Sequence, residues 1–165
     1  MIGKMKILFV CSGNLCRSPL AEWYLRKILA DEGLIGVEVS SAGCWAYNGA
    51  PSSEAAQQVA AENGFQLSAH LTRQLTPEMV AQADLVAIME EEQREEVVSL
   101  APAEGDKVVL LRSFTPDGSF MRNIPDPYGA GLDSFRYVFR LIKESVEGLY
   151  RHLVASGKVR PPKGR

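Results

Sequence analysis

Residues 5–10, Met-Lys-Ile-Leu-Phe-Val, form a short, mostly apolar run of the length and composition of a buried strand. Similar runs recur at residues 37–41, 85–89 and 107–111, and the stretches between them are patterned as helices. Ser18-Pro19 reads as a helix opening, with Ser18 as its cap, Pro19 at the first position and Gly33 as its stop. Residues 53–63 are Ala-rich and end at Asn63-Gly64, Thr76-Pro77 starts a further short helix, and residues 90–100 form an acidic one. The last helix is predicted over residues 133–155. There Phe135, Val138, Ile142, Val146, Leu149 and Leu153 fall three or four apart and make one apolar face. Strands alternating with helices predict a single-domain α/β three-layer sandwich, a four-stranded parallel sheet with helices on both faces. Ligands of such sheets sit beyond the carboxyl ends of the strands, so the loop that begins at Cys11 is the first candidate site. The connection over residues 112–131, rich in Pro, Gly and Asp, is the second. Within it, Asp117 in Pro-Asp-Gly reads as a plain turn.

Composition narrows the class. The 165 residues are 46% apolar and 23% charged, ordinary values for one globular domain with a sizeable core. A net charge of −2 argues against general nucleic-acid binding, which needs a basic surface. Four basic residues and two prolines in residues 158–165 read as a flexible basic tail, which leaves residues 1–157 as the domain. No apolar run reaches membrane-spanning length, and the first residues lack the apolar core and cleavage site of a signal peptide. A cytoplasmic protein is therefore expected. Its three cysteines, Cys11, Cys16 and Cys44, are an odd number, which suits a reactive thiol better than a disulfide framework.

The loop after the first strand reads Cys11-Ser-Gly-Asn-Leu-Cys-Arg-Ser-Pro19. Successive backbone N–H groups in a tight loop form an anion-binding nest, and the following helix adds its positive end. Gly13 and Asn14 tolerate backbone angles that such a loop requires. Arg17 brings a planar fork of donors that matches two phosphate oxygens. The field that binds phosphate also favours a thiolate at Cys11, and the Ser18 hydroxyl is placed to hydrogen-bond it. A buried core cysteine is the competing reading for Cys11, but the strand–loop–helix setting favours chemistry. Zinc binding by Cys11, Cys16, Cys44 and His70 lacks the usual Cys-x-x-Cys pair. No Gly-Lys-Ser/Thr follows the loop glycine, so this is not a Walker loop. In the long connection, Pro125-Asp-Pro-Tyr128 holds Asp126 between two prolines. On the residues alone, a general acid and a turn are equally good readings of it.

The loop resembles the signature of the low-molecular-weight protein tyrosine phosphatases. The resemblance continues in Ser41-Ala-Gly43, His70-Leu-Thr-Arg73, residues 84–89 and Asp126-Pro-Tyr128, in the family's order and from about Lys6 to the last helix. It implies a flavodoxin-like fold, and an enzyme that hydrolyses phosphotyrosine in proteins through a phosphocysteine, without metal or cofactor. The implied roles are Cys11 as nucleophile, Arg17 as phosphate clamp and Asp126 as general acid and base. Ser12, Gly13, Asn14, Leu15, Cys16 and Ser18 would line or support the phosphate site, and His70 would support Asn14. Tyr128 and either Trp45 or Tyr47 would wall the substrate ring; Tyr47 is the residue preferred. The residue after Tyr128 is Gly129, where the family usually has a second aromatic. A protein arginine phosphatase of the same fold is the alternative, and Leu15 stands where that branch has a threonine. An arsenate reductase is disfavoured because no cysteine follows Cys44. A non-catalytic phosphate-binding module is disfavoured by the joint presence of Cys11, Arg17 and Asp126. Expected partners are a phosphotyrosine protein and a tyrosine kinase, with no nucleic acid and no membrane, and the chain is expected as a monomer. Glu90–Glu92, Glu95 and Glu96 read as a solvated helix face. Cys16 is read as a guard that traps oxidised Cys11 in a disulfide.

Overall fold

The computed structural model describes residues 3–115 and 121–164. Four strands, β1 (Met5–Cys11), β2 (Val37–Gly43), β3 (Leu85–Ile88) and β4 (Val108–Leu110), form one parallel sheet in the order β2-β1-β3-β4. β1 lies in the middle because its side chains are apolar on both faces. Ile7 and Phe9 enter the core under α1 (Arg17–Asp31) and α5 (Leu132–Ala155), with α2 (Glu54–Glu62) beside them. Leu8 and Val10 enter the opposite core, under α3 (Pro77–Gln82) and α4 (Glu92–Leu100). The result is the predicted three-layer sandwich, and the six apolar positions read on α5 are all buried.

The chain crosses from β1 to β2 on one side of the sheet and later to β3 on the other. That reversal opens a crevice at the carboxyl end of β1, where residue 12 begins the loop. Most element limits agree with the sequence reading to within two residues. Ser53 and Thr76 cap α2 and α3 through their side chains, and Gly33 follows α1 with a left-handed φ of 63°.

Ser18 does not cap α1: the helix starts at Arg17 with Cys16 as its flanking residue, and the Ser18 hydroxyl is engaged elsewhere. The basic segment is not loose from its start. Arg160 and Ile35 exchange backbone hydrogen bonds of 2.8 and 2.9 Å, and Val159 is buried. Asp117 lies outside the described residues.

Candidate active site

Cys11 is the last residue of β1, and its neighbour on β2 is Gly43. Past that pair the two chains stay joined: Cys44 N–H donates to Cys11 O (2.9 Å) and Trp45 N–H to Ser12 O (2.8 Å). Gly43 is needed at this point, since a Cβ there would lie 2.6 Å from Ser12 O and 2.8 Å from Asn14 N. Asn14 then reverses the loop with a left-handed φ of 57°. Among the described residues, none accepts a hydrogen bond from the backbone N–H groups of residues 12–16. Five consecutive unengaged amides, followed by the start of α1, form an anion-binding nest.

The nest is held from behind by the fully buried Asn14. Its Nδ2 donates to Ser18 Oγ (2.7 Å) and Ser41 Oγ (2.9 Å), and its Oδ1 accepts from Arg73 N (2.9 Å). Ser41 Oγ in turn donates to the buried Glu22 Oε1 (2.6 Å), which anchors the chain of bonds in a charge. Ser18 Oγ lies 2.9 Å from Cys11 Sγ. Because Asn14 already donates to that oxygen, the hydroxyl hydrogen is free to point at the sulfur. His70 Nε2 is 2.9 Å from Asn14 O, while Trp23 Nε1 donates to His70 Nδ1 at 3.5 Å. A carbonyl only accepts and an indole N–H only donates, so a neutral ring with its hydrogen on Nε2 satisfies both. Burial lowers the His70 pKa and so favours that neutral form, against the attraction of Glu22.

Arg17 is 1% exposed and buried at the floor. Nη1 bonds Glu90 Oε1 and donates to Ile124 O (2.9 Å); Nη2 lies 3.4 Å from Ser12 Oγ and 3.5 Å from Asp126 Oδ2. Glu90 is thus not part of a solvated face: it is three-quarters buried and paired with Arg17. Asp126 is half-exposed at the rim, and Tyr128 N–H donates to its Oδ1 (3.1 Å), an Asx turn. Turn and acid are therefore not competing readings of Asp126, since the turn presents the other carboxylate oxygen to Arg17.

The remaining candidates divide. Gly13 is spacious, and Leu15 packs its side chain partly into the core. Cys16 Sγ faces Ser53 Oγ at 3.3 Å. Burial pushes the Cys16 thiol up to about 11, assisted by the charges of Cys11 and Asp126. Burial, then Cys11 and Glu96, push the Cys44 thiol up to about 12. Trp45, rather than Tyr47, flanks Ser12: it lines a depression of about 140 Å³ with Ser12, Cys44, Glu90, Glu92, Gln93 and Glu96. Tyr47 is 90% exposed, and its carbonyl is tied to Thr72. Tyr128 is 67% exposed. No cluster of metal-ligating side chains occurs among the described residues. The sequence does not mark Gln93 as functional, and it reads Glu90 as solvent-facing. The Met89-Glu90 step at the end of a strand beside β1 was the only signal.

A family model described as low molecular weight phosphotyrosine protein phosphatase matches residues 6–159. The low molecular weight protein-tyrosine-phosphatase Etp of Escherichia coli (strain K12) is 37% identical over 84% of this chain and 88% of its own. Among solved structures, Vibrio vulnificus Wzb in complex with benzylphosphonate superposes with a TM-score of 0.80. It is 34% identical, over 92% of this chain and 100% of that one. The YwlE arginine phosphatase from Geobacillus stearothermophilus superposes with a TM-score of 0.82 at 33% identity, over 92% and 94% of the two chains.

Proposed function

Because the chain belongs to the low molecular weight phosphotyrosine protein phosphatase family, we propose that it hydrolyses phosphotyrosine in proteins through a phosphocysteine formed on Cys11. The observation that carries this reading is the convergence of three groups on one nest of free amides. Cys11 Sγ lies 2.9 Å from Ser18 Oγ, and the clamp Arg17 lies 3.5 Å from Asp126. In the first step the Cys11 thiolate attacks phosphorus in line while the loop amides and Arg17 hold the equatorial oxygens. The bond from phosphorus to the phenolic oxygen breaks, and Asp126 gives that oxygen its proton. In the second step the Asp126 carboxylate takes a proton from water. The water oxygen attacks phosphorus, and the Cys11 thiolate leaves toward the Ser18 hydroxyl. Positive charge comes from the nest and Arg17, and the mechanism calls for no metal.

The test is Cys11→Ser, which should abolish turnover and leave vanadate binding measurable. Substantial residual turnover in that variant would reject the mechanism.

A second substrate reading is favoured by the likeness to the YwlE arginine phosphatase. The apolar Leu15 in place of a threonine supports the phosphotyrosine assignment. Parallel assays of phosphotyrosine and phosphoarginine peptides decide between the two.

The natural substrate is read as a phosphoprotein, with a tyrosine kinase as counterpart, in a cytoplasm where Cys11 stays reduced. Residues 1–157 are read as the catalytic domain, acting as a monomer. The Cys16 guard also belongs to this reading. After peroxide treatment the native enzyme should recover with a thiol reductant and Cys16→Ser should recover less. Equal recovery, with no Cys11–Cys16 disulfide in a peptide map, would reduce Cys16 to a packing residue.

A further inference from the structure

Beside the nest lies the depression floored by α4. It shares Ser12 with the phosphate loop and is open to solvent beside Trp45, which is 70% exposed. Three carboxylates border it. Glu90 is spent on Arg17, whereas Glu92 and Glu96, four residues apart on α4, have no ion-pair partner among the described residues. Like charges at this spacing repel, and they stand next to a loop built to attract a dianion. Glu92 meets the positive N-terminal end of α4, but binding of bare phosphate gains nothing from either carboxylate.

Gln93 adds a hydrogen-bond donor to the carboxylates and the Trp45 ring. It is 5% exposed and lines the same depression. Its Oε1 accepts from Met89 N (2.9 Å) and Glu90 N (3.1 Å). No acceptor among the described residues takes its Nε2, which is not a buried orphan but keeps solvent contact and can donate to a carbonyl oxygen.

From this arrangement we infer that the depression between Trp45 and α4 receives a lysine or arginine adjacent to the phosphotyrosine of a protein substrate. The inference rests on the phosphotyrosine reading of the neighbouring nest. The substrate cation lies between Glu92 and Glu96 and against the Trp45 ring, and Gln93 Nε2 donates to a backbone carbonyl of the same segment. A substrate that carries its own positive charge also offsets the acidic rim, which repels phosphopeptides with acidic flanks. The rim thus selects as much by exclusion as by attraction.

Phosphotyrosine peptides identical except for Lys, Ala or Glu at the positions directly before and after the phosphorylated residue test the inference, with p-nitrophenyl phosphate as an unflanked control. For the native enzyme, kcat/KM should rank Lys above Ala above Glu. Two solvent-exposed ion pairs suggest a Lys-to-Ala ratio of roughly three- to tenfold at low ionic strength, shrinking in salt. In the Glu92→Gln/Glu96→Gln variant the ratio should collapse toward one, with p-nitrophenyl phosphate turnover held within about twofold because neither residue touches the phosphate site. An equal response of the native enzyme to the three flanks, or a preference that survives the double substitution, overturns the inference. Failure to turn over the Ala peptide and p-nitrophenyl phosphate would instead overturn the phosphotyrosine reading on which it stands.

Discussion

At Arg17 the guanidinium has four partners besides substrate: the carboxylates of Glu90 and Asp126, a carbonyl and a hydroxyl. Glu90 is the more buried carboxylate and the one hydrogen-bonded to Arg17, so it holds the fork in place before phosphate arrives. Charge-assisted hydrogen bonds contribute about 1.5–3 kcal/mol, which corresponds to a loss of roughly ten- to a hundredfold in vanadate affinity for Glu90→Gln. Titration of vanadate against activity measures it, and unchanged affinity would mean that Ile124 and Ser12 suffice. Asp126 sits at the opposite end of Arg17, so Asp126→Ala should lower turnover by about 10²–10⁴. The loss should be smaller for leaving groups that depart without a proton. An equal loss across a leaving-group series would contradict its role as acid. The sequence signalled these two carboxylates unequally. Asp126 announces itself between prolines, while Glu90 opens a run of acids in which each residue reads as solvent-facing. What distinguishes it is tertiary: β3 lies beside β1, and that pairing sets the residue after Met89 against Arg17. Ser18 misled for the opposite reason. Its position suits a cap, but Cys11 and Asn14 are the stronger partners for its hydroxyl.

Among the elements, β2 does more than widen the sheet. Its last residue, Gly43, presses backbone against backbone on the phosphate loop, with Ser12 O, Asn14 N and Gly13 C all within 3 Å of where a Cβ would stand. Gly43→Ala should therefore displace the loop while leaving the sheet intact. Overpacking of this kind costs about 1–3 kcal/mol. The expected result is a lowered Tm, a native far-ultraviolet spectrum and a disproportionate fall in kcat/KM; a variant with full activity would show that the loop can give way. α2 ties to the same loop from the other side: Ser53 caps the helix, donates its N–H to Leu15 O (3.0 Å) and faces Cys16. The period of the apolar residues made the elements and their order readable, because each strand and helix buries a regular face. The grip of β2 on the loop was not readable, since a glycine at a strand end carries no pattern that distinguishes close approach from a turn. The tail shows the same limit. Lys158-Val-Arg160 has a loose composition, yet its backbone finds the unpaired groups of Ile35.

The whole molecule is linked to pH through His70. Its folded pKa lies below the ordinary value of 6.5, because burial disfavours the charged ring. The unfolded chain therefore binds the proton more readily. The stability that depends on neutral His70 is fully present above about pH 6.5 and is lost as pH falls toward the lower folded value. Tm measured from pH 7.5 to 5 should decline for the native protein, and the decline should be shallower for His70→Gln. Parallel curves would show that other groups control acid stability. His70 also illustrates how far the phosphate loop reaches for support. Asn14 is bound by residues 27, 56 and 59 positions away in the chain, and Arg17 is bound by one 107 away. Contacts so distant in sequence form late in folding, because loop closure must come first. A partly folded chain therefore carries Cys11 as an ordinary thiol, without the nest or clamp that make it a catalyst. Hydrolysis becomes a readout of completed folding. A newly made molecule starts to erase phosphate marks only once its far ends have met, and local opening anywhere along those links silences it before it unfolds.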